Sequence, residues 1–286
     1  MGGIIWLASY PKSGNTWMRA FFTNFFNDSE ESMDINDLSV TIASSRTLFD
    51  EIAGVEASDL TEDEIERLRP DVYEQMAAAS DEETLFLKIH DAYIHTTSGH
   101  PLVPHKATRG VIYIIRNPFD TAVSFASHLG DDIDAVISGM SDVRFAFYTN
   151  PNRLEGQLRQ RLLSWSGHVL SWVDAPGLQV YVMRYEDMKQ NPLETFTGAV
   201  RFVGLANDED RIRRALAGSD FKKMKQQEEA LGFRERSPNA TSFFRKGEVG
   251  SWRESLSQDH VARLVHDHRA VMERFGYLTE NDVPVF

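Results

Sequence analysis

The N-terminal 26 residues contain the pattern that most restricts the fold: a short apolar run, a tight turn and an amphipathic helix in direct succession. Residues 4–9 are apolar enough for a buried strand, and Pro11 and Gly14 end the run. Residues 16–26 then place their apolar side chains on one face of a helix. A strand that leads through a glycine turn into a helix is typical of α/β proteins.

Three further apolar runs follow, at residues 85–89, 111–115 and 179–183, and helical stretches separate them. Strands that alternate with helices predict an α/β fold, with a central parallel β-sheet flanked by helices. The chain shows no internal repeat and no low-complexity linker, so we expect a single domain over residues 1–286. Capping patterns predict helix starts at Thr61, Asn191, Asn207 and Ser257.

Acidic residues are concentrated in one part of the chain. The formal net charge is −13, but residues 27–83 alone contain 18 acidic and three basic residues. We interpret this segment as an acidic helical insertion or lid, and the alternative is a solvated acidic surface without a role. The rest of the chain is nearly neutral and leaves room for a small anion site. Nucleic acid is not an expected partner, because it requires a basic face.

The chain contains no cysteine, which excludes disulfides, cysteine-ligated metals and a thiol nucleophile. His90, His95, His100 and His105 recur every five residues, whereas metal-binding helices use i, i+3 or i, i+4 pairs, so we expect no metal. No apolar run is long enough for a bilayer and no targeting segment is evident. We therefore expect a cytoplasmic protein without a membrane partner.

The first motif, at residues 9–17, joins the first strand to the first helix and reads SYPKSGNTW. Gly14 permits a tight turn, after which free amides at the helix N-terminus face a site that favours an anion. Lys12 adds a positive charge. The motif is not a Walker A loop, because its lysine precedes the only glycine. An ordinary strand–turn–helix corner is the alternative.

A second and a third motif carry further cations. Arg116 follows the apolar run 111–115, at the strand end where open α/β sheets bind ligands, and arginine can grip a phosphate at two points. An ion pair between Arg116 and Asp120 is the alternative. The third motif is RKGEVGSW at residues 245–252, in which two cations precede two glycines. Such a loop can wrap an anion with its amides, or it can be a solvated basic turn.

Together, in this order and spacing, the three motifs resemble those of the sulfotransferases that use 3′-phosphoadenosine 5′-phosphosulfate (PAPS) as sulfuryl donor. The resemblance covers almost the whole chain and implies that family's P-loop-like α/β fold. The first motif resembles the family's 5′-phosphosulfate loop, the second its 3′-phosphate site, and the third its Arg-Lys-Gly-x-x-Gly loop. Asn15 stands where many members have threonine, and Ser251 where many have aspartate; neither change removes a positive charge from the anion site.

The resemblance implies a role for each matching residue. The 5′ side of the nucleotide would be held by Lys12, Ser13, Gly14, Asn15, Thr16 and Trp17. The 3′-phosphate would be held by Arg116, Ser124, Arg245, Lys246 and Gly247. The adenine would contact Tyr185, stack on Phe221 and lie near Trp17. Segments that select the acceptor would lie within residues 27–83 and 129–153.

The catalytic residues are expected in the segment FLKIHD at residues 86–91, which resembles the family's Lys-Thr-His segment with Ile89 in place of threonine. An alcohol or phenol must lose a proton as it attacks sulfur, and histidine titrates near neutral pH. We therefore assign His90 as the general base. Lys12 offsets charge on the leaving phosphate, and Lys88 assists at the sulfuryl oxygens. Simple packing of His90 at the strand end is the alternative.

These observations lead to one hypothesis and two rivals. The chain transfers a sulfuryl group from PAPS to a hydroxyl or amine of a small-molecule acceptor by in-line attack, and 3′-phosphoadenosine 5′-phosphate (PAP) is the product. The first rival is a P-loop-type kinase, in which Asp91 would hold magnesium. The second is a module that binds adenosine bisphosphate without catalysis.

Overall fold

The computed structural model describes residues 3–27, 33–80, 84–150 and 155–286. Its main sheet has five strands in the order β2-β3-β1-β4-β7, and β3 pairs in parallel with both β1 and β2. The chain therefore has the predicted α/β fold with a central parallel sheet flanked by helices. The strands of this sheet are β1 (Gly3–Ser9), β2 (Thr41–Ile42), β3 (Thr84–Ile89), β4 (Thr108–Ile115) and β7 (Val180–Arg184).

Each of the four apolar runs forms a strand of this sheet. Strands β1, β3 and β4 are mostly buried, as their continuous apolar sequences require, whereas β7 is mostly half-buried at the edge of the sheet. The register of β1 and β3 pairs Leu7 with Lys88 and Ala8 with Ile89. The two strands thus end side by side, and His90 immediately follows the end of β3. A second, two-stranded antiparallel sheet consists of β5 (Ala146–Phe147) and β6 (Gln160–Arg161).

Eleven α-helices occur within the described ranges. The first six are α1 (Asn15–Phe26), α2 (Arg46–Ala53), α3 (Glu62–Ala79), α4 (Pro118–Leu129), α5 (Ile133–Ser141) and α6 (Trp165–Val173). The others are α7 (Tyr185–Gln190), α8 (Pro192–Phe202), α9 (Glu209–Gly218), α10 (Phe221–Leu231) and α11 (Gln258–Arg274). Across the part of the chain that the structure describes, none of the helices is both long and apolar enough to cross a membrane.

Two of the four predicted helix starts are confirmed in detail, and two need correction. Thr61 and Ser257 each form a capping box at the start of α3 and α11. The cap of α9 is Asp208, one residue after the predicted Asn207, and its carboxylate accepts from the amide of Arg211. Helix α8 begins at Pro192 as predicted, but the Asn191 side chain makes no capping hydrogen bond.

The chain divides into two compact units. The first consists of Met1–Tyr10, Thr41–Tyr113 and Val143–Val182 and holds most of the five-stranded sheet. The second consists of Pro11–Val40, Ile114–Asp142 and Met183–Phe286 and holds α1, α4, α5 and α7 to α11.

The acidic segment 27–83 contains β2, α2 and α3, and its residues 28–32 and 81–83 lie outside the described residues. Within the first unit, Tyr73 of α3 packs edge-on against Trp6 of β1, with ring centroids 5.0 Å apart. The buried Arg69 of the same helix forms a two-pronged ion pair with Asp91, with nitrogen–oxygen distances of 3.0 and 2.7 Å. An aromatic contact thus joins this helix to β1, and an ion pair joins it to the residue two positions after β3.

Candidate functional site

The first motif forms a tight turn between β1 and α1. Lys12 adopts a left-handed backbone conformation with φ of 66°, which is uncommon for a residue with a side chain, and Gly14 follows with φ of 109°. A Cβ atom at Gly14 would lie 2.8 Å from Cδ2 of Tyr185, so only glycine fits there. The buried Ser13 hydroxyl has no hydrogen-bond partner among the described residues. The turn therefore presents an unsatisfied polar group at a helix N-terminus.

Arg116 connects the first and third motifs. Its Nη1 donates to the carbonyl oxygen of Lys12 at 3.0 Å, and its Nη2 donates to the carbonyl oxygen of Glu248 at 3.1 Å. Its guanidinium carbon lies 4.4 Å from the centre of the Tyr185 ring. The side chain is buried, and its Nε has no partner among the described residues. Residues more than 100 positions apart in the sequence thus meet at one cation.

Asp120 does not serve mainly as a partner of Arg116. Its buried carboxylate accepts hydrogen bonds from the amides of Gly250 and Trp252, at 2.7 and 3.0 Å, and from the Ser251 hydroxyl at 3.2 Å. Asn117, which caps α4, also donates to it. Asp120 therefore fixes the end of the third motif.

The third motif passes closely over an aromatic ring. Gly247 has φ of 64°, and a Cβ atom there would lie 2.4 Å from Cε2 of Phe221. Lys246 forms an ion pair with the exposed Glu254. These contacts leave the motif's glycine backbone against Phe221, the residue assigned to purine stacking.

The predicted aromatic residues lie together in the second unit. Trp17 packs edge-on against Tyr185 with a centroid distance of 6.2 Å, and its indole nitrogen is buried without a partner among the described residues. Lys189, which none of the sequence motifs indicated, joins this group: its ammonium lies 5.6 Å from the Trp17 ring centre and 5.8 Å from that of Phe221. Partial burial lowers the pKa of Lys189. Lys189 follows Tyr185 by four residues on α7. This spacing places the two side chains next to each other on the helix surface and could have indicated Lys189 from the sequence.

All the residues assigned to the nucleotide lie in the second unit. Within it, Lys12, Gly14, Trp17, Arg116, Tyr185, Phe221 and Gly247 are joined by the contacts above. Asn15 and Thr16 are buried in the first turn of α1, and Ser124 is half-buried on α4. The ammonium of Lys12 lies 3.6 Å above the ring of Phe243, which the motifs did not indicate.

His90 lies in the first unit, where its ring is held by a backbone group. Its Nδ1 is 2.7 Å from the carbonyl oxygen of Ser9. A carbonyl can only accept, so Nδ1 carries the proton, and the lone pair of the neutral ring lies on Nε2. This tautomer is the one that a general base acting through Nε2 requires. Ser9 is three residues before Lys12 along the chain.

A second histidine, which sequence reasoning missed, holds the backbone of His90. Nε2 of the buried His168 is 3.0 Å from the His90 carbonyl oxygen, and its Nδ1 is 2.8 Å from the Tyr113 hydroxyl. The carbonyl requires a proton on Nε2, so Tyr113 donates to Nδ1. Burial lowers the pKa of His168 to about 4, which keeps the ring neutral.

Lys88 is buried in β3, directly before Ile89 and His90. Asp91, the magnesium ligand of the kinase hypothesis, has both carboxylate oxygens bound to Arg69. One of them also accepts from the amide of Arg161 at 3.2 Å. A carboxylate held in this way is poorly placed to bind a metal.

The donor set of the second unit suits an anionic ligand that also carries an aromatic ring. Unsatisfied donors lie at Ser13, Trp17 and Arg116. The cationic groups of Lys12 and Arg116 each lie over an aromatic ring. Over the described residues, no group of three or more histidine, aspartate or glutamate side chains is arranged to hold a metal ion.

Comparisons with known proteins agree with this chemistry. A family model described as "Sulfotransferase domain" matches residues 4–276. Sulfotransferase 6B1 of Homo sapiens is 23% identical over 256 residues, which cover 88% of this chain and 70% of that protein. Sulfotransferase 1A1 of Canis lupus familiaris is 26% identical over 178 residues, covering 58% of this chain and 56% of that protein.

Two solved structures share the fold. Mouse sulfotransferase SULT7A1 complexed with PAP has a TM-score of 0.59 at 20% identity, covering 95% of this chain and 85% of that one. Retinol dehydratase in complex with androsterone and PAP has a TM-score of 0.61 at 18% identity, covering 97% and 83%.

The low pKa of His168 predicts a specific pH dependence of stability. In the unfolded chain the His168 side chain has a pKa near 6.5, and in the folded chain its pKa is about 4, so the unfolded chain binds a proton at this residue more readily. The contribution of His168 to stability is therefore fully present above about pH 6.5 and declines as the pH falls towards 4, by roughly 3 kcal/mol at most. Urea unfolding of the unmodified protein and of His168→Gln across this range measures the effect, and the variant should show a flatter profile.

The exposed His100 provides a matched control. His100→Gln should leave the profile unchanged. Identical pH profiles for the unmodified protein and His168→Gln would contradict the assignment of a buried, neutral His168.

Proposed function

We propose that this chain, which belongs to the sulfotransferase domain family, transfers the sulfuryl group of PAPS to a hydroxyl or amine of a small-molecule acceptor. The observation that carries the proposal is the position of Arg116, whose guanidinium joins Lys12 of the first motif to Glu248 of the third. Three segments with the charge and glycine pattern of a nucleotide site thus meet within one compact unit.

The residues of the second unit fit the donor. Lys12, Ser13 and the amides of residues 14–17 would hold the 5′ side, where the helix N-terminus favours negative charge. Arg116, Ser124, Arg245, Lys246 and Gly247 would hold the 3′-phosphate, and Trp17, Tyr185 and Phe221 would surround the adenine. When bound, PAPS supplies the sulfuryl group and a phosphate leaving group, and PAP remains as product.

His90 acts as the general base in this proposal. Nε2 accepts the proton of the attacking hydroxyl or amine, while Nδ1 keeps its hydrogen bond to the Ser9 carbonyl. That carbonyl also favours the positively charged ring formed in the step, because it accepts from a charged donor. His168 holds the backbone at the same residue, so the ring starts from a fixed position.

Two lysines provide the positive charge that offsets the negative charge of the reacting groups in this proposal. The ammonium of Lys12 offsets negative charge on the leaving phosphate oxygen, and that of Lys88 assists at the sulfuryl oxygens. Groups already in place for such charge usually contribute the largest part of catalysis. Lysine, arginine and backbone amides perform this neutralisation, so the proposal assigns no role to a metal.

Two observations weigh against the kinase. Lys12 precedes Gly14, unlike the lysine of a Walker A loop, and Asp91 is occupied by Arg69. A binding module without catalysis would not require His90 in the tautomer that leaves a lone pair on Nε2.

The acceptor belongs to the class of small molecules with a nucleophilic hydroxyl or amine. Retinol dehydratase, which shares the fold, was solved with androsterone and with retinol. A screen of small alcohols, phenols and amines with labelled PAPS identifies the acceptor. The cytoplasmic location stays a prediction.

Replacement of His90 separates catalysis from binding. In His90→Ala the acceptor proton has no base, so the transfer rate should fall about 10²- to 10⁴-fold while the affinity for PAP stays nearly unchanged. Transfer from labelled PAPS and calorimetric titration with PAP measure the two effects. The exposed His95 supplies the control, since His95→Ala should alter neither. An unaltered rate in His90→Ala would remove this residue from the mechanism.

Replacement of Arg116 tests the 3′-phosphate site. PAP and AMP differ only in the 3′-phosphate, so Arg116→Ala should weaken PAP roughly 10- to 100-fold and AMP much less. Arg211 makes similar contacts elsewhere in the same unit, with a backbone carbonyl at 2.6 Å and the Phe25 ring at 4.6 Å. Arg211→Ala should therefore change neither affinity. Equal losses of PAP and AMP affinity in Arg116→Ala would refute the assignment.

A further inference from the structure

A buried carboxylate outside the three motifs holds the chain just before the third one. Glu228 of α10 is only 4% exposed. Its Oε1 accepts from the amide of Phe243 at 2.7 Å, and its Oε2 accepts from the amide of Phe244 at 2.9 Å and the Ser242 hydroxyl at 3.1 Å. Three consecutive residues therefore depend on one side chain. Hydrogen bonds to an ionised carboxylate are stronger than neutral ones.

The segment that Glu228 holds contacts or directly precedes residues assigned to each part of the proposed nucleotide site. Phe243 lies beneath the ammonium of Lys12 at 3.6 Å, on the 5′ side. Phe244 packs edge-on against Phe221, the purine-stacking residue, with centroids 5.9 Å apart. Arg245 and Lys246, assigned to the 3′-phosphate, follow directly in the chain.

The other end of the third motif is held in the same manner. Asp120 accepts from the amides of Gly250 and Trp252, and Arg116 donates to the carbonyl of Glu248 in the middle. The loop is thus held by a carboxylate at each end and by a guanidinium between them. Glu228 is the member of this set that none of the motifs indicated.

We propose that Glu228 is a positioning residue for the nucleotide site, and this inference rests on the proposed function. It fixes Phe243 and Phe244 so that Lys12, Phe221 and the Arg245–Lys246 pair take their binding positions together. It touches no part of the nucleotide itself. Its effect is therefore on affinity and on selectivity for the 3′-phosphate rather than on the chemical step.

The substitution Glu228→Gln keeps the size of the side chain but turns one acceptor into an NH₂ group. At least one of the two amides then loses its acceptor, and the segment before Arg245 shifts. PAP affinity should fall about tenfold or more, and the ratio of PAP to AMP affinity should fall with it. Calorimetric titration with PAP and with AMP, well below the unfolding temperature, measures both quantities.

The matched control is Glu66→Gln in the first unit. Glu66 is also 4% exposed and binds Arg159 and Arg161 at 3.0 and 3.2 Å. Both substitutions remove one buried carboxylate, so both can lower the thermal midpoint. Only Glu228→Gln should change the PAP-to-AMP ratio, because a smaller folded fraction weakens both nucleotides equally.

A second variant keeps the proposal testable if Glu228→Gln fails to fold. Phe243→Leu leaves the amide that Glu228 accepts from but removes the ring beneath Lys12. PAP affinity should fall about threefold or more. An unchanged PAP-to-AMP ratio in Glu228→Gln, or an unchanged PAP affinity in Phe243→Leu, overturns the inference. Failure of the unmodified protein to prefer PAP over AMP would instead overturn the proposed function.

Discussion

The proposed nucleotide site depends on two hydrogen bonds that the guanidinium of Arg116 donates. This guanidinium donates to the carbonyl of Lys12, next to the turn that opens α1, and to the carbonyl of Glu248 within the glycine-rich loop. Lys12 and Glu248 both lie outside the helices and strands, so no ladder of backbone hydrogen bonds fixes their positions. One planar cation with several donors can hold two such loops at once, which an ammonium group does less well.

Buried carboxylates also hold residues of this region, because they accept hydrogen bonds from them. Asp120 and Glu228 accept from amides at the two ends of the glycine-rich loop. Glu186 accepts from Asn117, the residue after Arg116, and from the Tyr277 hydroxyl. Burial raises the pKa of Glu186, while its hydrogen bonds oppose that change. Among the described residues, the buried acids near the site thus accept from amide and hydroxyl groups instead of pairing with its cations, whereas the exposed Glu254 pairs with Lys246. This division explains how a chain with a net charge of −13 can bind a bisphosphate nucleotide.

The sequence predicted local features well and long-range partnerships poorly. Nearby residues determine periodicity and short-range hydrogen bonding. These signals predicted the strand–turn–helix corner at Gly14, the strand before Arg116 and the caps at Thr61 and Ser257. The cap of α9 was misplaced by one residue because Asn207 and Asp208 are both good capping residues. The sequence did not indicate Glu228 and His168, because their partners are distant in sequence. It did not indicate Lys189 either, because that residue is recognised only by the helix face that it shares with Tyr185. Arg69 is one of the three basic residues of the acidic segment 27–83, and the sequence did not indicate that it pairs with Asp91.

The central claim is that the cations gathered around Arg116 bind a nucleotide with both a 3′- and a 5′-phosphate. Calorimetric titration of the unmodified protein with PAP, and separately with ATP and magnesium, tests it most directly. The account predicts that PAP binds clearly more tightly than ATP with magnesium, and without any requirement for the metal. Tight binding of ATP with magnesium, together with weak or absent binding of PAP, would contradict it.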